Sequence, residues 1–221
     1  MAGTGIATAQ RVGFFGGTFD PPHRGHLAVA QAAADRFALD RVLLAPVAHQ
    51  PLKQEKAAAS FADRLAMLQC FTQEDARLLP SAVDAEHPDG RPNYTLDTLT
   101  RLRSMLPAGA QLFLILGADS LRDLQRWHRP VELLQQNEVI AVSRPGEDLR
   151  TILAALDAFF RAQSYADWRA RVHLIEDVHQ PVSATELRTA LSSQNSAAAS
   201  WLLPCVAEYI RKHALYTSQS A

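Results

Sequence analysis

Apolar residues fall into two kinds of run along this chain. Short bursts of strand length stand at 12–15, 42–45, 112–116, 139–142 and 172–175. Longer stretches between them space their apolar residues by three and four: Leu27, Ala30 and Ala34 in one, Phe61, Leu65 and Leu68 in a second, Leu96, Leu99 and Leu102 in a third. Each predicts a helix with one buried face. Strands that are apolar on both faces and alternate with helices indicate a parallel sheet covered on both sides, because crossover helices bury each face. The expected fold is therefore α/β and doubly wound, with a parallel sheet of five to six strands and helices on both faces. No repeat or clear boundary divides the chain, so residues 1–221 are expected to form one domain: an α/β core over 11–180 and a small C-terminal helical appendage over 181–221. Ligands of such sheets sit beyond the carboxyl ends of the strands, which directs attention to the residues after 15, 45, 116 and 142.

Charge changes this picture little. Lys and Arg number 22 against 23 Asp and Glu, a formal net charge of -1, so no global positive field draws the protein to nucleic acid or anionic lipid. Any bound anion needs a local site. Cys70 and Cys205 lie far apart and form no C-x-x-C pair, which predicts neither a disulfide framework nor a thiolate zinc site and suits a reducing compartment. No signal-peptide pattern opens the chain, and no apolar run is long enough to span a bilayer. The expectation is a cytoplasmic protein with no membrane and no nucleic-acid partner; a homo-oligomer is left open.

The first candidate chemistry follows the first strand: Gly16-Gly17-Thr18-Phe19-Asp20-Pro21-Pro22-His23-Arg24-Gly25-His26, then a helix expected to start near Leu27. Adjacent glycines let backbone N–H groups approach a phosphate, and the helix N-terminus adds partial positive charge. His23 and His26, three residues apart, are placed to donate to the same phosphoryl group. Two ordinary surface histidines beside a glycine turn, or a zinc pair with Asp20, are the alternatives, and zinc lacks a further ligand cluster. A second candidate is Val182-Ser183-Ala184-Thr185-Glu186-Leu187-Arg188. Ser183 and Glu186 read as a capping box, and Arg188 lies near enough to reach an anion at the helix entrance.

Together the two segments resemble the signatures of the H-x-G-H nucleotidyltransferase superfamily, with Val182 where the family's second motif has isoleucine. That resemblance implies a Rossmann-like fold. It implies that Gly16, Gly17, Thr18 and Phe19 cradle ATP, that His23 and His26 stabilise the triphosphate during attack on the α-phosphorus, and that Ser183, Thr185 and Arg188 close over the β- and γ-phosphates. Between the motifs, 92–99, 116–121, 126–128 and 143–146 are similar to segments of bacterial nicotinate mononucleotide adenylyltransferases. The implied substrates are ATP, with Mg2+ carried on its phosphates and no dedicated protein metal site, and nicotinate mononucleotide. Thr95 is then implied at the nicotinate carboxylate, Trp127 stacked on the pyridine ring, and Asp119 at the ribose or amide region. Each of these three also reads as a plain structural residue: a helix start, a packing indole and a cap. Two departures stand out. Leu52 replaces the histidine of a Pro-Pro-His-Lys loop, leaving Lys53 as its cation, and His128 stands where many relatives have tyrosine. Nicotinamide mononucleotide or phosphopantetheine as acceptor, and a non-catalytic nucleotide sensor, are the competing readings.

Overall fold

The computed structural model describes residues 5–49, 51–52, 56–87, 89–143, 148–178, 182–193 and 200–217. Its strands are β1 (Arg11–Gly17), β2 (Arg41–Pro46), β3 (Leu78–Pro80), β4 (Gln111–Gly117), β5 (Glu138–Val142) and β6 (Val172–Ile175). All pairings are parallel, in one sheet ordered β3-β2-β1-β4-β5-β6. The chain starts in the middle, winds outward through β2 and β3, then crosses back to β4 and winds the other way. The crevice between β1 and β4, where the winding reverses, is where such a sheet opens for a ligand.

The helices are α1 (Arg24–Arg36), α2 (Phe61–Glu74), α3 (Thr95–Arg103), α4 (Ala118–Arg122), α5 (Pro130–Gln136), α6 (Leu149–Ala162), α7 (Ala184–Ser192) and α8 (Pro204–Lys212). Period-two alternation in the strands divides the core. Phe15, Val42, Leu44 and Ile115 face α1, α2 and the C-terminal helices, packing with Ala30, Met67, Phe71, Val206 and Ile210. Phe14, Leu43, Leu114 and Leu116 face the other way, toward Leu99, Leu121, Leu133, Phe160 and Trp168. Each such side chain, fully buried, contributes roughly 1.5–3 kcal/mol. Both layers are needed because β1 places Val12 and Phe14 in one and Phe15 in the other.

Three local expectations change. α1 starts at Arg24, with His23 as its N-cap, so the histidine motif is the helix's first turn and does not precede it. The buried face of α2 is Arg64, Met67, Leu68, Cys70 and Phe71; Leu65 is only half-buried, because the face is rotated to bury Arg64. Cys70 and Cys205 form a disulfide, which corrects the expectation of none. Their separation of 135 residues hid the pairing, but α8 lies on α2 and brings the two Cα atoms to 5.9 Å, within ordinary disulfide reach. Tyr209 on α8 also donates to Asp63 on α2 at 3.0 Å. Among the described residues no helix is long and apolar enough to cross a membrane.

Candidate active site

Gly16 and Gly17 are the last residues of β1, and what they supply is room. A Cβ on Gly16 would come within 3.1 Å of the Phe14 ring, and one on Gly17 within 3.3 Å of the Phe19 ring. The chain then turns at Phe19, whose φ of 50° is left-handed backbone, and seats its ring 4.8 Å from His26 and 5.4 Å from Phe15. His23 is buried, its ring centroid 3.7 Å from that of His26. The His23 N–H donates to His26 Nδ1 at 3.3 Å, an arrangement that puts the neutral ring's proton on Nε2. Gly25 between them is required by close packing: a Cβ there would meet His23 Nδ1 at 2.9 Å and Val182 Cγ1 at 3.0 Å. The two motifs therefore pack closely at Gly25, where a side chain would not fit. Arg24 points away and donates to the Ser200 carbonyl.

Behind this loop lies a buried polar network. The Asp20 carboxylate, 2% exposed, accepts from the Ala58 and Ala59 N–H groups at 2.7 and 3.1 Å and from the Tyr216 hydroxyl at 2.7 Å. Arg64, also 2% exposed, donates to the carbonyls of Thr18 at 2.7 Å, Val47 at 3.0 Å and Ala59 at 3.3 Å. Burial lowers the Arg64 pKa, opposed by the neighbouring Asp20, and burial followed by the Asp20 hydrogen bond raises that of Tyr216. Arg64 and Tyr216 carried no signal in sequence: an arginine in a helix ordinarily faces water, and a tyrosine close to the chain end belongs to no motif.

α7 begins with the expected capping box. The Ser183 hydroxyl accepts from the Glu186 N–H at 3.2 Å, and Glu186 Oε2 accepts from the Ser183 N–H at 3.2 Å. Ser183 and Thr185 face the same cleft as the histidines. Arg188 reaches from α7 to the β1–α1 loop. Its guanidinium donates to the Asp20 carbonyl at 2.8 Å and to Thr185 Oγ1 at 3.3 Å, fastening α7 to the β1–α1 loop at the edge of the cleft.

The opposite wall comes from α3, α4 and the segment between α4 and α5. Thr95 is the first residue of α3 after the N-cap Tyr94, and buried Asn93 clips this entrance to the β2 loop by accepting from the His49 N–H at 3.1 Å and donating to the Ala85 carbonyl at 3.0 Å. The Tyr94 ring stacks on His128, 4.3 Å between centroids, so the histidine departure is absorbed by an aromatic partner. Trp127 lines the cleft while part of its indole packs on the core. Asp119 lies in the first turn of α4, exposed, with Arg122 donating to it at 3.1 Å. Gly117 ends β4 facing open space: a Cβ there would touch nothing within 4 Å. Asp84, another wall residue, has its pKa raised by burial, against the hydrogen bond from Thr98 at 2.5 Å. Leu52 lines the cleft; Lys53 and residues 144–146 lie outside the described residues.

The two walls enclose a cleft of about 730 Å³ at the carboxyl ends of β1 and β4. That is room for a sizeable ligand, with His23, His26, Ser183 and Thr185 on one side and Tyr94, Trp127 and His128 on the other. A family model described as cytidylyltransferase-like matches residues 14–190, and the chain belongs to that nucleotidyltransferase family. Within it the chain groups with the nicotinate-nucleotide adenylyltransferases. It is 39% identical over 207 residues to a Neisseria meningitidis protein named "Probable nicotinate-nucleotide adenylyltransferase", covering 94% of this chain and 98% of that one. A Gloeobacter violaceus protein of the same name is 37% identical over 94% of this chain and 96% of its own length. The fold matches the Plasmodium falciparum nicotinic acid mononucleotide adenylyltransferase complexed with NaAD, with a TM-score of 0.72 at 18% identity, over 94% of this chain and 97% of that one.

Proposed function

We propose that the protein transfers the adenylyl group of ATP to nicotinate mononucleotide, giving nicotinate adenine dinucleotide and pyrophosphate, a step of NAD biosynthesis in the cytoplasm. One observation carries this reading: His23, His26, Ser183 and Thr185 share a single cleft with Thr95, Asp119 and Trp127. The names of the Neisseria and Gloeobacter relatives support the acceptor, and the packing of Leu187 of α7 and Val206 of α8 in the same core as Phe15 and Leu44 supports reading the chain as a single domain.

An acceptor phosphate oxygen attacks the α-phosphorus in line, and the bond to the bridging oxygen breaks as pyrophosphate takes its electron pair. The attacking phosphate is already ionised near neutral pH, so no side chain needs to remove a proton. Catalysis then rests on positioning and charge neutralisation. His23 and His26 donate to the triphosphate, the room at Gly16 and Gly17 admits it, and Ser183 and Thr185 bind its outer end, with Arg188 holding α7 in place. Lys53 is offered as a further cation. Thr95, Asp119 and Trp127 hold the acceptor, the indole by stacking on the pyridine ring. Among the described residues no group of three His, Cys, Asp or Glu is placed to hold a metal, and the Asp20 oxygens are engaged within the protein. Mg2+ enters this reading with ATP, carried on its phosphates.

Pyrophosphate release with ATP and Mg2+, compared across nicotinate mononucleotide, nicotinamide mononucleotide and phosphopantetheine, tests the reading. Release with the nicotinate acceptor alone is expected. Release with another acceptor would replace the acceptor assignment, and ATP binding with no release from any would point to a sensor.

A further inference from the structure

We propose that Tyr216, in the turn after α8, is a positioning residue for adenylyl transfer, acting through Asp20 on the loop that carries the histidines and anchors Arg188. The proposal rests on the transfer reading above. Asp20 is the point where the loop is held from both ends: its side chain accepts the Tyr216 hydroxyl at 2.7 Å, and its main-chain carbonyl accepts Arg188 at 2.8 Å. A movement of this one residue displaces Thr18 and Phe19 on one side, His23 on the other, and the first turns of α7 through Arg188.

Tyr216 is built to hold it still. The chain leaves α8 through two residues in left-handed backbone, Ala214 at φ 49° and Tyr216 itself at φ 58°, a conformation uncommon for residues with side chains. This turn aims the phenol back at the sheet. Its foundation is fixed twice to α2, by the Cys70–Cys205 bridge and by the Tyr209 hydrogen bond to Asp63. The phenol remains a donor over the working pH range, since burial and Asp20 both raise its pKa. Without the hydroxyl, the Asp20 carboxylate keeps two backbone N–H donors, one on each oxygen, and loses the Tyr216 side-chain donor. The loop is then expected to remain folded but to sample positions a fraction of an ångström away, which is enough to cost rate in a reaction that depends on alignment.

Tyr216→Phe is the test, with two independent readouts. We expect kcat to fall about tenfold with acceptor KM unchanged, and a non-hydrolysable ATP analogue with Mg2+ to bind about fivefold more weakly, while the melting temperature stays within roughly 2 °C. A double variant with Arg188→Ala should be no more than about twofold slower than Arg188→Ala alone, because both losses pass through Asp20. Unchanged kcat and analogue affinity, effects that multiply in the double variant, or a variant that loses its fold would each overturn the proposal, the last by assigning Tyr216 to stability alone. If the wild-type protein releases no pyrophosphate with any acceptor, the transfer reading falls by itself, and analogue binding by the two proteins still decides whether Tyr216 sets the phosphate loop.

Discussion

On the β1 side of the cleft, segments distant in sequence are joined by hydrogen bonds between buried groups; on the side of Trp127 and His128, near neighbours hold one another at the surface. Arg64 ties the loops after β1 and β2 together, and Asp20 ties residues 58–59, α7 and the turn after α8 to the same point. The far wall is clipped at the start of α3 by Asn93 and by the Thr98–Asp84 hydrogen bond, but its Trp127–His128 stretch relies on pairs three residues apart, Arg122 with Asp119, Arg126 with Asp123 and Arg129 with Glu132, and on the Tyr94–His128 stack. Exposed pairs of this kind contribute about 0–1 kcal/mol each. The difference fits the proposed division of labour: triphosphate chemistry demands fixed donors, whereas an acceptor pocket can tolerate adjustment and substitution, as His128 illustrates.

The contrast can be broken from either side. The largest effect is expected from His26→Ala, which removes a phosphate donor on the rigid side: kcat should fall by about 10²–10³ with the fold intact, measured by pyrophosphate release and circular dichroism. A fall of less than tenfold would remove the histidine from the chemistry. Arg64→Met should cost about 3–5 kcal/mol of stability in denaturant titration, because three carbonyls lose their donor and buried Asp20 loses its neighbouring cation. Trp127→Ala, on the adjustable side, should raise acceptor KM by roughly tenfold and leave ATP KM alone. Equal rises in both would mean that the two walls do not work separately.

The smallest and sharpest effect concerns Asp84. Its folded-state pKa is raised by burial, so its protonated form is the one the fold favours. Its contribution to stability is therefore fully present below the ordinary carboxyl value and is lost as pH rises through the raised folded value. Relative to Asp84→Asn, the wild-type protein should lose stability across that window and level off above it. Denaturant midpoints measured from pH 3 upward check this, and a flat difference would contradict the burial argument.

Most of the sheet was legible because its strands are continuous apolar bursts, and the 16–26 and 182–188 motifs were legible because their residues are adjacent in sequence. β3 escaped because Leu78–Pro80 has three residues and ends in proline, too little for any periodicity to register. The rotation of α2 escaped for a different reason: a spacing rule places arginine outside, and only the carbonyls of Thr18, Val47 and Ala59 make its burial affordable. Tyr216 and the Cys70–Cys205 pair depend on α8 returning to α2, a meeting between residues more than a hundred positions apart that no local pattern records. What was visible at the site were residues that line the cleft; what was hidden was their bracing.

The cysteine bridge also changes the topology of the molecule. By joining positions 70 and 205 it closes the chain between them into a covalent ring, with β3 through β6 and helices α3 through α7 inside it. The exposed turn at residues 104–105, after α3, lies on that ring. A protease that cuts there yields two pieces that travel as one band on a gel until a reductant separates them, whereas a cut before residue 70 frees its fragment at once under denaturing conditions.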